Sequence, residues 1–153
     1  KEKAEALAMD PSLSDFRITA TTDMDELTST CNLIVTCTAS RKPLLFADKV
    51  RPGTHITAMG ADADGKQELD PALFAKADLV VADSVAQCVD HGDIHHAMVS
   101  GHLMPEKIVS LGDIIQANQQ PTTYNLQLSI ADLTGVAIQD IQIAKFVAGR
   151  VKE

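Results

Sequence analysis

The residues with the clearest chemical potential lie in one glycine-flanked segment, residues 60–69, which reads GADADGKQEL. Within it, Asp62 and Lys66 stand four positions apart. A carboxylate beside an ammonium group can act as a general acid/base, because the neighbouring charge tunes the pKa of the carboxyl group. The flanking glycines let the backbone approach a ligand closely. The same spacing also fits a charged loop that is merely solvated, and the spacing alone leaves both interpretations open.

A second cluster, HGDIHH at residues 91–96, has the side-chain types of a metal site. His91 and His95 are four positions apart, but Gly92 interrupts the helix that would align them. No cysteine or further acidic cluster completes a tetrahedral ligand set. We therefore predict that this protein has no metal site.

The elements that must position these residues alternate between strand and helix. The run at 32–38 (NLIVTCT) is continuous and β-branched, which predicts a strand covered on both faces and places Cys37 in the core. Further strands are predicted at 16–21, 54–59, 78–82 and 126–130, and helices at 1–9, 23–27, 71–76, 84–89, 111–117 and 136–150. This order predicts an α/β fold with a mostly parallel sheet.

Such a sheet binds its ligand beyond the carboxyl ends of its strands. Small and polar residues gather at four such ends, namely 36–40, 59–66, 83–84 and 131–135. The pattern therefore predicts where a site lies without identifying its ligand.

Composition excludes several classes of partner. The formal charge of −8 over 153 residues leaves no basic stripe for phosphates, so we expect no nucleic acid partner. No apolar run approaches the roughly 20 residues of a membrane span, so we expect no membrane partner. The three cysteines form no CxxC pair, which indicates reduced thiols and a cytoplasmic location.

Four stretches of the chain resemble the ornithine cyclodeaminase/μ-crystallin family. They are NLIVTCTASRKPLL, RPGTHITAMG, GADADGKQEL and DLTGVAIQD, and they occur in family order over nearly the whole chain. The resemblance implies a Rossmann-like, doubly wound sheet that binds NAD or NADP. It also implies a homodimer whose substrate is a small amino or imino acid.

The resemblance also assigns roles to individual residues. Asp62 matches the catalytic acid/base, which handles protons as hydride moves between substrate and nicotinamide. The cofactor-contacting positions of the family correspond here to Thr38, Met59, Gly60, Ala61 and Lys66. A late loop over cofactor and substrate corresponds to Asp132, Thr134 and Gly135. Family members with a DS(T/V)G pattern have serine where Leu133 stands, so the contact of that hydroxyl is missing and ornithine is a less well supported substrate.

The front of the dinucleotide site is not in this sequence. Pyrophosphate binding needs a GxGxxG-type turn after a first strand, yet no glycine precedes Gly53. We expect residues 1–135 to form an incomplete Rossmann-like domain, lacking the first strands and that turn, and residues 136–153 to form a C-terminal helix. The missing strands would leave an apolar edge on the strand at 32–38.

Two classes of function follow. The first is an NAD(P)-dependent oxidoreductase or cyclodeaminase, of which the chain is a carboxy-terminal portion that we expect to be inactive alone. The reaction could be cyclodeamination, imino-acid reduction or amino-acid dehydrogenation. The second is a non-catalytic, μ-crystallin-like protein that binds a dinucleotide and a small ligand.

Overall fold

The computed structural model describes residues 2–117 and 126–151, which form seven strands and seven α-helices. The strands are β1 (Leu33–Thr36), β2 (Arg41–Leu45), β3 (Thr54–Ala58), β4 (Gln67–Leu69), β5 (Leu79–Ala82), β6 (Ile108–Ser110) and β7 (Leu128–Asp132). The helices are α1 (Glu2–Ala8), α2 (Met24–Thr30), α3 (Pro71–Lys76), α4 (Val85–Asp90), α5 (Asp93–Val99), α6 (Leu111–Gln116) and α7 (Ala137–Arg150). Short 3-10 helices lie at Pro11–Leu13 and Pro105–Lys107.

Five strands form one sheet in the order β1-β3-β7-β5-β6, and each pair is parallel. The last strand in sequence, β7, inserts between β3 and β5. The α/β class and the parallel sheet are thus confirmed. The centre of the core is apolar and includes Ile56 and Ile130 from neighbouring strands, together with Phe74 from α3.

Helices α2 and α3 begin at aspartates that cap them. Asp23 accepts hydrogen bonds from the backbone N–H groups of Asp25 and Glu26, so α2 begins at the predicted place. Glu26 does not close the capping box, because its carboxylate accepts from the Thr21 hydroxyl instead. Asp70 caps α3 in the same manner, with proline at the first turn.

The strand predicted at 32–38 is shorter and more exposed than expected. Strand β1 ends at Thr36 and lies at the edge of the sheet, with Leu33 66% and Val35 55% exposed. The prediction that both faces of this strand are buried is therefore wrong. Within the described residues, β1 has a strand neighbour on one side only, and one of its faces is open. Cys37 is likewise exposed and does not belong to the core.

The predicted strand at 16–21 is also wrong. Phe16 is 68% exposed, and the described residues contain no strand beside this segment. An isolated extended segment gains no ladder hydrogen bonds, so propensity alone does not make it a strand. Conversely, the sequence did not predict the small parallel sheet of β2 and β4.

The two ends of the chain agree with the helices predicted there. The first helix is present from Glu2, and α7 accounts for most of the predicted region 136–153. Residues 1, 152 and 153 lie outside the described ranges. Within those ranges, no helix is both long and apolar enough to cross a membrane.

Candidate functional site

Four neighbouring strands deliver their carboxyl ends to one edge of the sheet. Because β1, β3, β7 and β5 are adjacent and parallel, the loops that follow them meet there. The predicted site residues lie at these ends: Thr38 follows β1, residues 59–66 follow β3, Asp132 ends β7, and Thr134 and Gly135 follow it. The predicted location of the site is therefore the place where the structure brings these residues together.

Asp62 and Lys66 form an ion pair at this edge. Nζ of Lys66 donates to Oδ1 of Asp62 over 2.5 Å, and the side chains are 26% (Lys66) and 52% (Asp62) exposed. The hydrogen bond from Lys66 lowers the pKa of the Asp62 carboxyl group, against a weaker opposing effect of desolvation. Asp62 is thus held as a carboxylate while it stays open to solvent and to a ligand.

In the segment before Asp62, Met59 is exposed and the next two residues are buried. Met59 continues the β3 ladder by donating to the Thr36 carbonyl over 2.9 Å, and its side chain is 48% exposed. Gly60 and Ala61 are buried, and the Gly60 N–H donates to Oε2 of Glu68 over 2.9 Å. A Cβ atom at Gly60 would lie 2.5 Å from Oε1 of Glu68. Glycine is therefore the one residue type that fits this position.

Thr38 is bound to the same carboxylate. Its backbone N–H and its hydroxyl donate to Oε1 of Glu68, over 2.6 and 2.7 Å. The sequence predicted Thr38 as a cofactor contact but did not predict its partner Glu68. In the structure the hydroxyl proton of Thr38 is directed at Glu68, so a ligand would meet the remaining acceptor capacity of that oxygen.

Asp83 holds the loop that follows β7 through hydrogen bonds. Its Oδ2 accepts from the Gly135 N–H over 2.9 Å, and its Oδ1 lies 3.4 Å from both the N–H and the hydroxyl of Thr134. Gln87 adds a hydrogen bond to the Gly135 carbonyl over 2.7 Å. Thr134 thus turns its hydroxyl inward, so it does not replace the serine hydroxyl that Leu133 lacks.

Asp132 also points into the protein. It is 1% exposed, and its Oδ2 accepts from the Ile94 N–H over 2.7 Å. Burial raises the pKa of Asp132 to about 8, and the charges of Asp93 and Asp83 add to the effect. Burial thus favours the protonated form of this carboxyl group. Its place in the structure is beneath the loop rather than on its ligand-facing side.

A shallow cleft runs between these two loops. It has a volume of about 130 Å³ and is lined by Met59, Asp62, Leu133, Thr134, Gly135 and Gln139. Small-molecule sites usually occupy roughly 300–1,000 Å³, so this cleft can hold only part of a cofactor or substrate. Met59 and Leu133 form its apolar walls, and Asp62 is the one carboxylate among its lining residues. Gln139 was not among the site residues predicted from the sequence.

The HGDIHH segment is used structurally. Nδ1 of His95 lies 2.9 Å from the Val89 carbonyl, and Nε2 of His96 lies 2.9 Å from the Lys66 carbonyl. Asp93 is fully buried and accepts from two backbone N–H groups. Within residues 2–117 and 126–151, no three His, Cys, Asp or Glu side chains are grouped closely enough to hold a metal ion.

Comparisons of the sequence with known proteins all point to one family. The sequence profile of the ornithine cyclodeaminase/mu-crystallin family matches residues 1–153. An uncharacterized cyclodeaminase of Sinorhizobium fredii is 39% identical over 153 residues, which is 99% of this chain and 46% of that protein. The iminosuccinate reductase of Paracoccus denitrificans is 39% identical over 130 residues, 85% of this chain and 40% of that enzyme.

Solved structures share the fold. The iminosuccinate reductase of Paracoccus denitrificans, in complex with NAD+, superposes with a TM-score of 0.79 at 38% identity, covering 87% of this chain and 41% of that one. An archaeal alanine dehydrogenase dimer with bound NAD gives 0.80 at 36% identity, covering 95% of this chain and 45% of that one. The chain thus spans less than half the length of these relatives.

Proposed function

Because the chain belongs to the ornithine cyclodeaminase/mu-crystallin family, we propose that it is part of an NAD(P)-dependent enzyme that acts on a small amino or imino acid. The observation that carries the proposal is the ion pair of Asp62 and Lys66 at an apolar-walled cleft. The enzyme would interconvert an imino and an amino acid or cyclise a diamino acid with loss of ammonia. Relatives include an iminosuccinate reductase, an alanine dehydrogenase and a lysine cyclodeaminase.

We assign the chemistry to Asp62. The hydride would be supplied or accepted by a nicotinamide cofactor when one is bound. Asp62 takes the proton from the substrate nitrogen, or from an attacking water, when the amino acid is oxidised, and it returns that proton in the reverse direction. Met59 and Leu133 exclude water from the reacting face, since both line the cleft beside Asp62.

The remaining predicted residues have supporting roles in this proposal. Thr38, Gly60, Ala61 and Lys66 would contact or shape the cofactor, and Gly135, which lines the cleft, would lie beside the substrate or cofactor. Asp132 and Thr134 support that loop from within. Residues 1–135 would belong to the dinucleotide-binding domain and 136–153 to a C-terminal helix. A cytoplasmic homodimer is proposed from the free thiols of this chain and from the dimeric alanine dehydrogenase relative.

The direct test is a cofactor-consumption assay on the protein of natural length. Δ1-pyrroline-2-carboxylate, iminosuccinate, and pyruvate with ammonia are each offered with NADH and NADPH, and ornithine and lysine with NAD+. We expect one of these to be turned over. Binding of dinucleotide without any turnover would support the non-catalytic alternative, and absence of dinucleotide binding would refute both.

A pH profile tests the role of Lys66. Since Lys66 lowers the pKa of Asp62, Lys66→Met should raise that pKa towards its ordinary value. Amino-acid oxidation needs the carboxylate form of Asp62. When the pH is lowered, the Met variant should therefore lose its oxidation activity at a higher pH than the wild-type protein does. The measurement is kcat against pH at saturating cofactor, with Lys66→Arg as the charge-retaining control. An acidic limb that does not move in the Met variant would contradict this assignment.

A further inference from the structure

The most unusual group of the site is a carboxylate that the cleft does not expose. Glu68 lies on β4 and is 0% exposed. Its two oxygens accept three hydrogen bonds, two from Thr38 and one from the Gly60 N–H. Thr38 follows β1 and Gly60 follows β3. One buried side chain therefore joins the loops of two neighbouring strands at the reacting edge.

A charge in this place is costly unless it is compensated. Burying an ionised carboxylate without partners is strongly unfavourable, so such groups are paired or hydrogen-bonded. No ion pair among the described residues includes Glu68. Its compensation is the set of three donors, which lie 2.6, 2.7 and 2.9 Å from its oxygens. Packing of the core alone would be served as well by an apolar side chain, so the carboxylate points to a role in orienting its donors.

A second buried carboxylate fixes Glu68 itself. Oδ1 of Asp93, at the start of α5, accepts from the backbone N–H groups of Glu68 and Leu69 over 2.9 and 2.8 Å. Asp93 is 0% exposed, and burial raises its pKa to about 6. Helix α5 thereby holds the backbone of β4, and β4 holds the two site loops. An unbroken series of hydrogen bonds therefore links α5, through β4, to the loops beside the cleft.

We propose that Glu68 is a positioning residue, which sets the spacing of Thr38 and Gly60 and thereby holds Asp62 against the reacting atoms. The inference rests on the proposed function, because Asp62 is the group whose placement matters. Glu68 does not line the cleft and acts through Gly60, which is two residues before Asp62. Its effect should fall on the chemical step more than on substrate binding, since misplacement of reacting groups by about 1 Å is enough to slow catalysis.

The test is Glu68→Gln in the protein of natural length. Glutamine has the same reach but only one acceptor oxygen, so its NH2 group must face either Gly60 or Thr38. We expect kcat to fall by about 10- to 100-fold, as for other small misplacements of reacting groups. The substrate KM should change much less. The kinetic isotope effect with deuterated reduced cofactor should increase, because hydride transfer becomes more rate-limiting.

Asp78→Asn is the matched control. Asp78 also accepts hydrogen bonds from two backbone N–H groups, those of Gln127 and Leu128, but at the opposite edge of the sheet. This variant should lower the thermal stability without increasing the isotope effect. A folded Glu68→Gln protein with wild-type kcat and isotope effect would overturn the proposal.

Amide exchange keeps the inference testable if the Gln variant does not fold. In the wild-type protein, the N–H groups of Thr38 and Gly60 should exchange slowly, although Thr38 is exposed. Fast exchange of both would overturn the proposal. The exchange result does not depend on turnover. Failure of the proposed function is seen separately, as absence of turnover or of dinucleotide binding in the assay described above.

Discussion

Replacing Asp62 with asparagine should lower turnover by about 10²-fold or more, the usual contribution of a general acid/base. Asparagine has nearly the same shape, so it preserves the cleft between Met59 and Leu133 while removing the carboxylate. It also breaks the ion pair with Lys66 but can still accept a hydrogen bond from that ammonium group. The loss should therefore appear in kcat rather than in cofactor affinity.

Asp64→Asn is the control for this substitution. Asp64 is exposed in the same loop, two positions after Asp62, and its replacement should leave turnover close to wild type. Steady-state kinetics and a dinucleotide titration on both variants separate chemistry from binding. If the Asp62 variant kept near-wild-type turnover with an intact fold, proton transfer would have to come from another group.

The place of the candidate site could be predicted from the sequence because it depends only on the strands being parallel. Apolar runs that alternate with helices indicate parallel strands, and parallel strands have their carboxyl ends at one edge. Residues 54–59 and 78–82 were predicted as strands to within a residue. Sequence pattern does not predict a short strand that forms only because another strand pairs with it. Strands β2 and β4 are of this kind, since each is short and each pairs with the other.

The buried carboxylates could not be predicted for a different reason. Glu68 belongs to the glycine-flanked segment 60–69, but glutamates are mostly exposed, so its residue type predicts an exposed side chain. Its burial depends on three donors, two of which come from Thr38, 30 positions away. Asp93 depends in the same way on backbone groups of β4. Such compensation is a property of tertiary contacts, and no local spacing in the sequence encodes it.

The inward turn of the late loop shows the same limit. The sequence predicted Asp132 and Thr134 in the loop that closes over ligands, but only Thr134 lines the cleft. Both side chains nevertheless form hydrogen bonds inside the protein. Asp132 accepts from the Ile94 N–H at the start of α5, and the Thr134 hydroxyl donates to Asp83, which follows β5. A family position can be read from sequence, while the direction of its side chain depends on partners supplied by other strands.

Gly60→Ala should be the most damaging substitution of a single small residue. The added methyl group would lie 2.5 Å from both Oε1 of Glu68 and the backbone nitrogen of Thr38. Neither neighbour is a flexible side-chain end, because Glu68 is fully buried and held by three donors. Overpacking of this kind typically costs about 1–3 kcal/mol of folding free energy. Displacement of Glu68 from its donors would add the cost of an unsatisfied buried charge.

Gly149→Ala is the matched control, because it makes the same chemical change where space is free. Gly149 lies in α7, and a Cβ atom there meets nothing within 4 Å. Alanine should stabilise that helix by roughly 0.5–1 kcal/mol. Denaturant unfolding of the two variants, with dinucleotide titrations, measures the contrast. Wild-type stability and cofactor affinity in the Gly60 variant would mean that the loops after β1 and β3 are free to separate, and that Glu68 does not fix their spacing.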